Sequence, residues 1–198
     1  MFYNELIDKC EWAHHGAHSY LLIQKNAIKS VTRALGNYYL DNVPNPNNGL
    51  KWTVIRHPMD RMISGLAFDI KLNPKIHETY IIDNLQNSLY GLMSPVFRSD
   101  IHKENHTYLQ SNYLINNPID FYVDINDLNT FLKCNFDYDA SGNIDEDGSR
   151  EYKGKAKELI HRFGQQRMED LLAFDTHIYN KIKTSGNIWK WQHGKVFL

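Results

Sequence analysis

The spacing of hydrophobic residues changes twice in the first 70 positions. The apolar run HSYLLIQ at 18–24 predicts a buried strand, and in AIKSVTRALGNYYL at 27–40 the apolar residues recur at helical spacing. A loop rich in Pro, Asn and Gly at 41–49 leads to a second strand, LKWTVI at 50–55, and Pro58 then opens a helix that continues over 59–70. The order strand, helix, strand, helix predicts a parallel α/β sheet.

The remainder of the chain continues this mixed pattern without an internal repeat or a linker, so residues 1–198 are expected to form a single domain. The apolar stripe of the late helices is expected to belong to the core. The predicted elements are mostly helix with loops at 75–118, a third core strand at 119–125, a short helix at 126–135, an acidic loop at 136–149, and one or two helices at 151–183.

Composition narrows the function classes. A net charge of −1 argues against a general nucleic-acid binder, and 42% hydrophobic residues argue against a disordered chain. No apolar run approaches the length of a membrane span, and the N-terminus has no signal-peptide pattern, so a cytoplasmic protein without membrane contact is expected. Cys10 and Cys134 are not in a C-x-x-C pair, and we expect both to be buried free thiols.

The segment LLIQKNAIKSVTRAL at 21–35 places Lys25 between the first strand and its helix. The free N–H groups and the dipole of a helix N-terminus form an anion site, and Lys29 and Ser30 add a charge and a hydroxyl donor. A Walker A loop, however, would need glycines where Ile23 and Ile28 stand, so an ordinary ATP-binding loop is not expected.

A second motif, TVIRHPMDRMISGL at 53–66, places Arg56 at the end of the second strand. Ligand sites of open α/β sheets lie at that edge. Ser64 follows about two turns into the next helix. An arginine and a serine so placed are suited to binding an anion. The alternative is that Arg56 and Arg61 are ordinary surface charges.

Taken together, the two motifs resemble the cofactor signatures of the PAPS-dependent sulfotransferases, most closely the carbohydrate sulfotransferase branch. His106-Thr-Tyr-Leu-Gln110, Ile119-Asp-Phe-Tyr-Val and Asp175-Thr-His-Ile-Tyr179 are similar to further stretches of that branch. The resemblance implies a P-loop-like three-layer fold in which helices flank a central parallel sheet. It implies a 5′-phosphosulfate loop made of Lys25, Asn26, Ala27, Ile28, Lys29 and Ser30.

The same resemblance implies that Arg56 and Ser64 bind the 3′-phosphate of PAPS, with Arg150 as a further contact. It implies transfer of a sulfuryl group from PAPS to a hydroxyl of a small molecule or glycan, with PAP as product and no metal. Lys25 would stabilise the leaving phosphate, and His106 would be the general base, with His102 and Glu104 as competitors. A nucleotide kinase and a catalytically silent PAP-binding protein remain as alternatives.

The sequence departs from the family pattern at Gln24 and Ile28, where a proline and a threonine or glycine are common. The acidic loop also contains the first part of an EF-hand pattern from Asp137 to Asp145, but Gly148 occupies the position of the bidentate glutamate. A plain polar loop is therefore expected between residues 137 and 148.

Overall fold

The structure, a computed structural model of the chain, describes residues 11–23, 25–41, 49–72, 109–114, 117–142 and 150–190. These residues form a mixed α/β arrangement built on a five-stranded sheet with the strand order β3-β1-β2-β4-β5. The strands are β1 (Trp12–His15), β2 (His18–Leu21), β3 (Tyr39–Asp41), β4 (Leu50–Ile55) and β5 (Phe121–Asp124).

The sheet is parallel on one side and antiparallel on the other. β4 runs parallel to both β2 and β5, with Tyr20 opposite Trp52 and Val54 opposite Val123. β1 pairs antiparallel with β2 and with β3. The expectation of a parallel sheet is therefore correct for β2, β4 and β5 and wrong for the pairings of β1.

Two strands, β1 and β3, were not predicted from the sequence. β1 forms a hairpin with the predicted strand β2 through Gly16, whose φ of 56° suits glycine. β1 and β2 have only four residues each. β3 lies at the end of the segment expected to be helical. The helix stops instead at Leu35, because Gly36 takes a φ of 66° and its N–H caps the Arg33 carbonyl.

The helices are otherwise close to the predicted positions. The late helical region consists of three α-helices rather than one or two, because the pattern is interrupted at Gly164, with a φ of 107°, and again at Leu172. The described helices are α1 (Ile28–Leu35), α2 (Pro58–Leu72), α3 (Gln110–Leu114), α4 (Leu128–Phe136), α5 (Lys153–Phe163), α6 (Gln165–Leu171) and α7 (Ala173–Thr184), with a 3-10 turn at Arg150–Tyr152.

Both faces of the sheet bury apolar side chains. On one face Trp52 and Val54 belong to a core that includes Val31 of α1 and Phe131 of α4. On the other face Ile55 packs with residues of α7. A fully buried large apolar side chain contributes about 1.5–3 kcal/mol, so these contacts fix α1 and the end of β4 beside each other.

Two further expectations can be compared with the structure. Cys134 is exposed on α4, so the expectation of a buried thiol is wrong for this residue, while Cys10 lies outside the described residues. Among the helices that the structure describes, none is both long and apolar enough to cross a membrane.

Candidate anion-binding site

The loop between β2 and α1 has an unusual backbone. Lys25 and Ala27 have φ values of 64° and 65°, in the left-handed region that favours glycine. Each such residue costs roughly 1–2 kcal/mol. Sequence reasoning looked for glycines at Ile23 and Ile28, whereas the left-handed positions are at Lys25 and Ala27. The surrounding contacts must therefore hold the loop in place.

Asn26 supplies the most important of these contacts. Its side chain is fully buried, and Nδ2 donates to the Val54 carbonyl of β4 at 2.8 Å and to Oε1 of Gln110 at 3.3 Å. The Tyr20 hydroxyl donates to the Asn26 carbonyl at 3.1 Å. The loop is thus bound to β2, β4 and α3 at once.

The N-terminus of α1 faces this loop without an acidic residue. The first helical hydrogen bond runs from the Val31 N–H to the Ala27 carbonyl at 3.1 Å, so the preceding N–H groups of Ile28, Lys29 and Ser30 have no acceptor within the helix. The N-cap residue, Ala27, provides no side-chain cap, and the first turn, which lies wholly within the described residues, contains no carboxylate. The positive end of the helix dipole is therefore available to an anion.

Arg56 connects the second motif to the first by a hydrogen bond. It follows the last residue of β4, and its Nη1 donates to the Lys25 carbonyl at 3.3 Å. Gln110 holds its backbone, because Nε2 donates to the Arg56 carbonyl at 2.9 Å and Oε1 accepts the Arg56 N–H at 3.4 Å. Burial lowers the pKa of Arg56, while Asp60 acts in the opposite direction.

The Lys25 ammonium lies 3.9 Å from the centre of the Phe68 ring on α2. This cation–π contact holds the side chain against the helix that carries Ser64. Lys25 is half-buried, so its charge is partly shielded from water and acts more strongly on a nearby anion.

The other predicted site residues are less closely assembled. Ser64 is half-buried in α2, Lys29 is exposed, and Arg150 is exposed at the start of the 3-10 turn, which packs against α2. The contacts that bring site residues together are those of Lys25 with Arg56 and with Phe68 of α2. His102, Glu104 and His106, the candidates for the general base, lie outside the described residues.

Arg61 is not the surface charge that the alternative reading of the second motif assumed. Its exposure is only 2%, and burial lowers its pKa, while Tyr113 and Asp175 oppose that shift. Asp175 also accepts the N–H groups of Gln110 and Ser111 at 2.9 and 2.8 Å. This carboxylate therefore positions Gln110, and through it both motifs. A signal for Arg61 existed, since it adjoins the apolar positions Met62 and Leu66 on the helix.

A second polar cluster lies at the end of β5. The Tyr179 hydroxyl and the Lys183 ammonium both donate to Oδ2 of the buried Asp124, at 2.8 and 2.9 Å. Burial alone would raise the pKa of Asp124, but these bonds and the Asn126 N–H lower it. His57 packs edge-on against Tyr179. The cluster ties α7 to the strand beside β4 and so stiffens this edge of the sheet.

The acidic loop has different contacts. The Asp139 carboxylate binds the Lys133 ammonium at 2.8 Å and accepts the Ser141 N–H at 2.9 Å. The hydrogen bond from Lys133 lowers the pKa of Asp139. Over the described ranges, no group of three or more His, Cys, Asp or Glu side chains is arranged to hold a metal ion.

No protein-family model, curated protein or solved structure matches this chain. The function of the chain is therefore inferred from its own residues and their geometry.

Proposed function

We propose that the chain is a PAPS-dependent sulfotransferase that transfers a sulfuryl group to a hydroxyl of a small molecule or glycan, with a carbohydrate as the expected acceptor. One observation supports this most strongly. The Arg56 guanidinium donates to the Lys25 carbonyl at 3.3 Å, so two segments 31 residues apart meet where β2 and β4 end. Each segment resembles one half of a PAPS site.

The proposal includes a P-loop-like three-layer fold. It is supported by the order of β2, loop and α1, and by apolar packing on both faces of the sheet. A cytoplasmic location without nucleic-acid or membrane partners also belongs to the proposal, and rests on the composition alone.

The proposed division of roles follows from charge. The N–H groups at the start of α1, Lys29 and Ser30 would hold the 5′-phosphosulfate of PAPS, while Arg56 and Ser64 would hold its 3′-phosphate. PAPS supplies the sulfuryl group, and PAP leaves. Negative charge develops on the oxygen that leaves with PAP, and the Lys25 ammonium would neutralise it.

Arg150 is proposed as an additional contact to the 3′-phosphate, and His106 as the base that takes the acceptor proton. An imidazole suits that step because its ordinary pKa, about 6.5, is near neutral pH. His102 and Glu104 are the alternative bases. The rate of sulfate transfer by His106→Gln, followed against pH beside His102→Gln and Glu104→Gln, separates the three.

The decisive experiment compares nucleotides that differ by one phosphate. Calorimetric titration with PAP and with AMP measures the contribution of the 3′-phosphate, because AMP lacks it. Arg56→Ala should weaken PAP binding about 10- to 100-fold, the size expected for a charge-assisted pair, and leave AMP binding unchanged. Lys25→Ala should weaken both nucleotides. Lys157→Ala, an exposed lysine on α5, is the matched control.

The alternatives give other results. Tighter binding of ATP than of PAP, together with magnesium-dependent turnover, would support a nucleotide kinase and overturn the proposal. PAP binding without sulfate transfer to any acceptor in a screen with labelled PAPS would support a silent binding protein. If Arg56→Ala weakens AMP and PAP equally, Arg56 does not recognise the 3′-phosphate.

A further inference from the structure

Gln110, the first residue of α3, contacts both halves of the proposed PAPS site. It is only 1% exposed. Its Nε2 donates to the Arg56 carbonyl at 2.9 Å, and its Oε1 accepts from the Arg56 N–H at 3.4 Å and from Asn26 Nδ2 at 3.3 Å. A single buried amide group is therefore bonded to segments 54 and 84 residues away in the chain.

These bonds close a ring around the site. Asn26 donates to Gln110, Gln110 donates to the Arg56 carbonyl, and the Arg56 guanidinium donates to the Lys25 carbonyl at 3.3 Å. Lys25 and Asn26 are neighbours, so the ring returns to its starting point. Because the backbone of Arg56 is held at one end and its guanidinium at the other, the distance from this charge to the loop is fixed.

The ring is also anchored to the rest of the domain. Asn26 Nδ2 donates to the Val54 carbonyl of β4 at 2.8 Å. The Gln110 N–H donates at 2.9 Å to Oδ2 of Asp175, a residue of α7 that is only 1% exposed. Gln110 is therefore held from its backbone while its side chain holds the two halves of the site.

We propose that Gln110 is a positioning residue, which fixes the separation of the 5′-phosphosulfate loop and Arg56 so that a nucleotide with both phosphates binds much more tightly than one with either alone. The inference rests on the proposed PAPS site. Once one phosphate is bound, a fixed separation presents the second half-site at a high effective concentration. Gln110 acts through Arg56 and Asn26, without touching the nucleotide.

Calorimetric titration of the full chain with three nucleotides tests this proposal. PAP has both phosphates, AMP has only the 5′-phosphate, and adenosine 3′-monophosphate has only the 3′-phosphate. Gln110→Met keeps the length of the side chain and removes the three hydrogen bonds of the amide. It should weaken PAP about 10-fold and each monophosphate less than about threefold, because a monophosphate needs only one half-site.

Gln166→Met is the matched control. Gln166 is an exposed glutamine of α6, and its side-chain amide donates to Asp170 at 3.0 Å. This variant should change the affinity for none of the three nucleotides. Should Gln110→Met fail to fold, Gln110→Asn serves instead, because it keeps the amide but is one methylene too short to reach both segments.

Equal weakening of all three nucleotides in the folded variant would show that Gln110 only supports the fold, and would overturn the proposal. If Arg56→Ala abolishes the preference for PAP over AMP while Gln110→Met retains it, the positioning role is wrong and the proposed site stands. If wild type binds PAP no more tightly than AMP, the proposed site is wrong, and the role of Gln110 in it is wrong as well.

Discussion

Two loops of this chain resemble ligand-binding motifs, and the structure gives them very different surroundings. The loop between β2 and α1 has residues in the left-handed region and is tied by Asn26 to partners 28 and 84 residues away. The acidic loop after α4 also begins with a left-handed residue, Asp137, but the Asp139 bonds join residues only two to six positions apart. The first loop is therefore shaped by the tertiary structure, and the second by its own neighbours.

The two loops therefore differ in how far they are preorganised for a ligand. A strained backbone that neighbouring elements hold in place leaves its N–H groups and charges fixed before a ligand arrives. A loop whose carboxylate is already neutralised by a nearby lysine gains less from an ion. Substitutions in and around the two loops should therefore differ in their effects on stability.

Asn26→Ala should cause the largest loss of stability, because it removes two buried hydrogen bonds and leaves the Val54 carbonyl without this donor. We expect the free energy of unfolding to fall by about 2–3 kcal/mol, which corresponds to a fall in Tm of about 5–10 °C. The matched change in the other loop is Asn129→Ala, which loses one bond to the Ala140 N–H and should cost less than about 1 kcal/mol. Equal losses in thermal unfolding would contradict the comparison.

Asp175→Asn should destabilise the protein by about 2 kcal/mol. Each carboxylate oxygen of Asp175 accepts one backbone N–H group, and an amide NH₂ in place of one oxygen cannot accept. The substitution also removes the negative charge near the buried Arg61. Asp139→Asn, in the exposed loop, is the control and should leave the urea midpoint unchanged. A larger shift for Asp139→Asn than for Asp175→Asn would refute the ranking.

Ala27→Gly should stabilise the protein by up to about 1 kcal/mol, because glycine takes a φ of 65° without the penalty that alanine incurs. Asp137→Gly should stabilise the protein less, since aspartate tolerates the left-handed region better than alanine does. Ala34→Gly, inside α1, should lower the free energy of unfolding by about 1 kcal/mol. A fall in Tm for Ala27→Gly would show that its methyl group has a packing role that outweighs the strain.

The smallest effect concerns pH and His18, whose ring contacts Phe136 just before the acidic loop. Burial, and secondarily His15, lowers the pKa of His18 below 6.5. The unfolded chain therefore binds this proton first as the pH falls below about 6.5, and stability declines down to the lowered pKa. His18→Gln should reduce that decline in urea melts at pH 7 and 5, and the exposed His161→Gln should not. An identical decline in His18→Gln would argue against this assignment.

Sequence and structure agree best where local patterns are strong. The strand at Leu50–Ile55 was predicted with its observed bounds, because it is a short apolar run followed by Pro58. β1 and β3 were missed, because such short strands form only by pairing with partners elsewhere in the chain. The left-handed residues of the loop were sought at the wrong positions, since no local rule assigns that conformation to a lysine and an alanine.

From the sequence alone, two candidate anion-binding residues could be recognised: Lys25 before a helix, and Arg56 after a strand. That they lie together is a consequence of the fold. Parallel pairing of β2 with β4 brings the two strand ends side by side, and buried amide hydrogen bonds from Asn26 and Gln110 then fix the loop. A buried amide needs hydrogen-bond partners, and here residues far apart in the chain supply them.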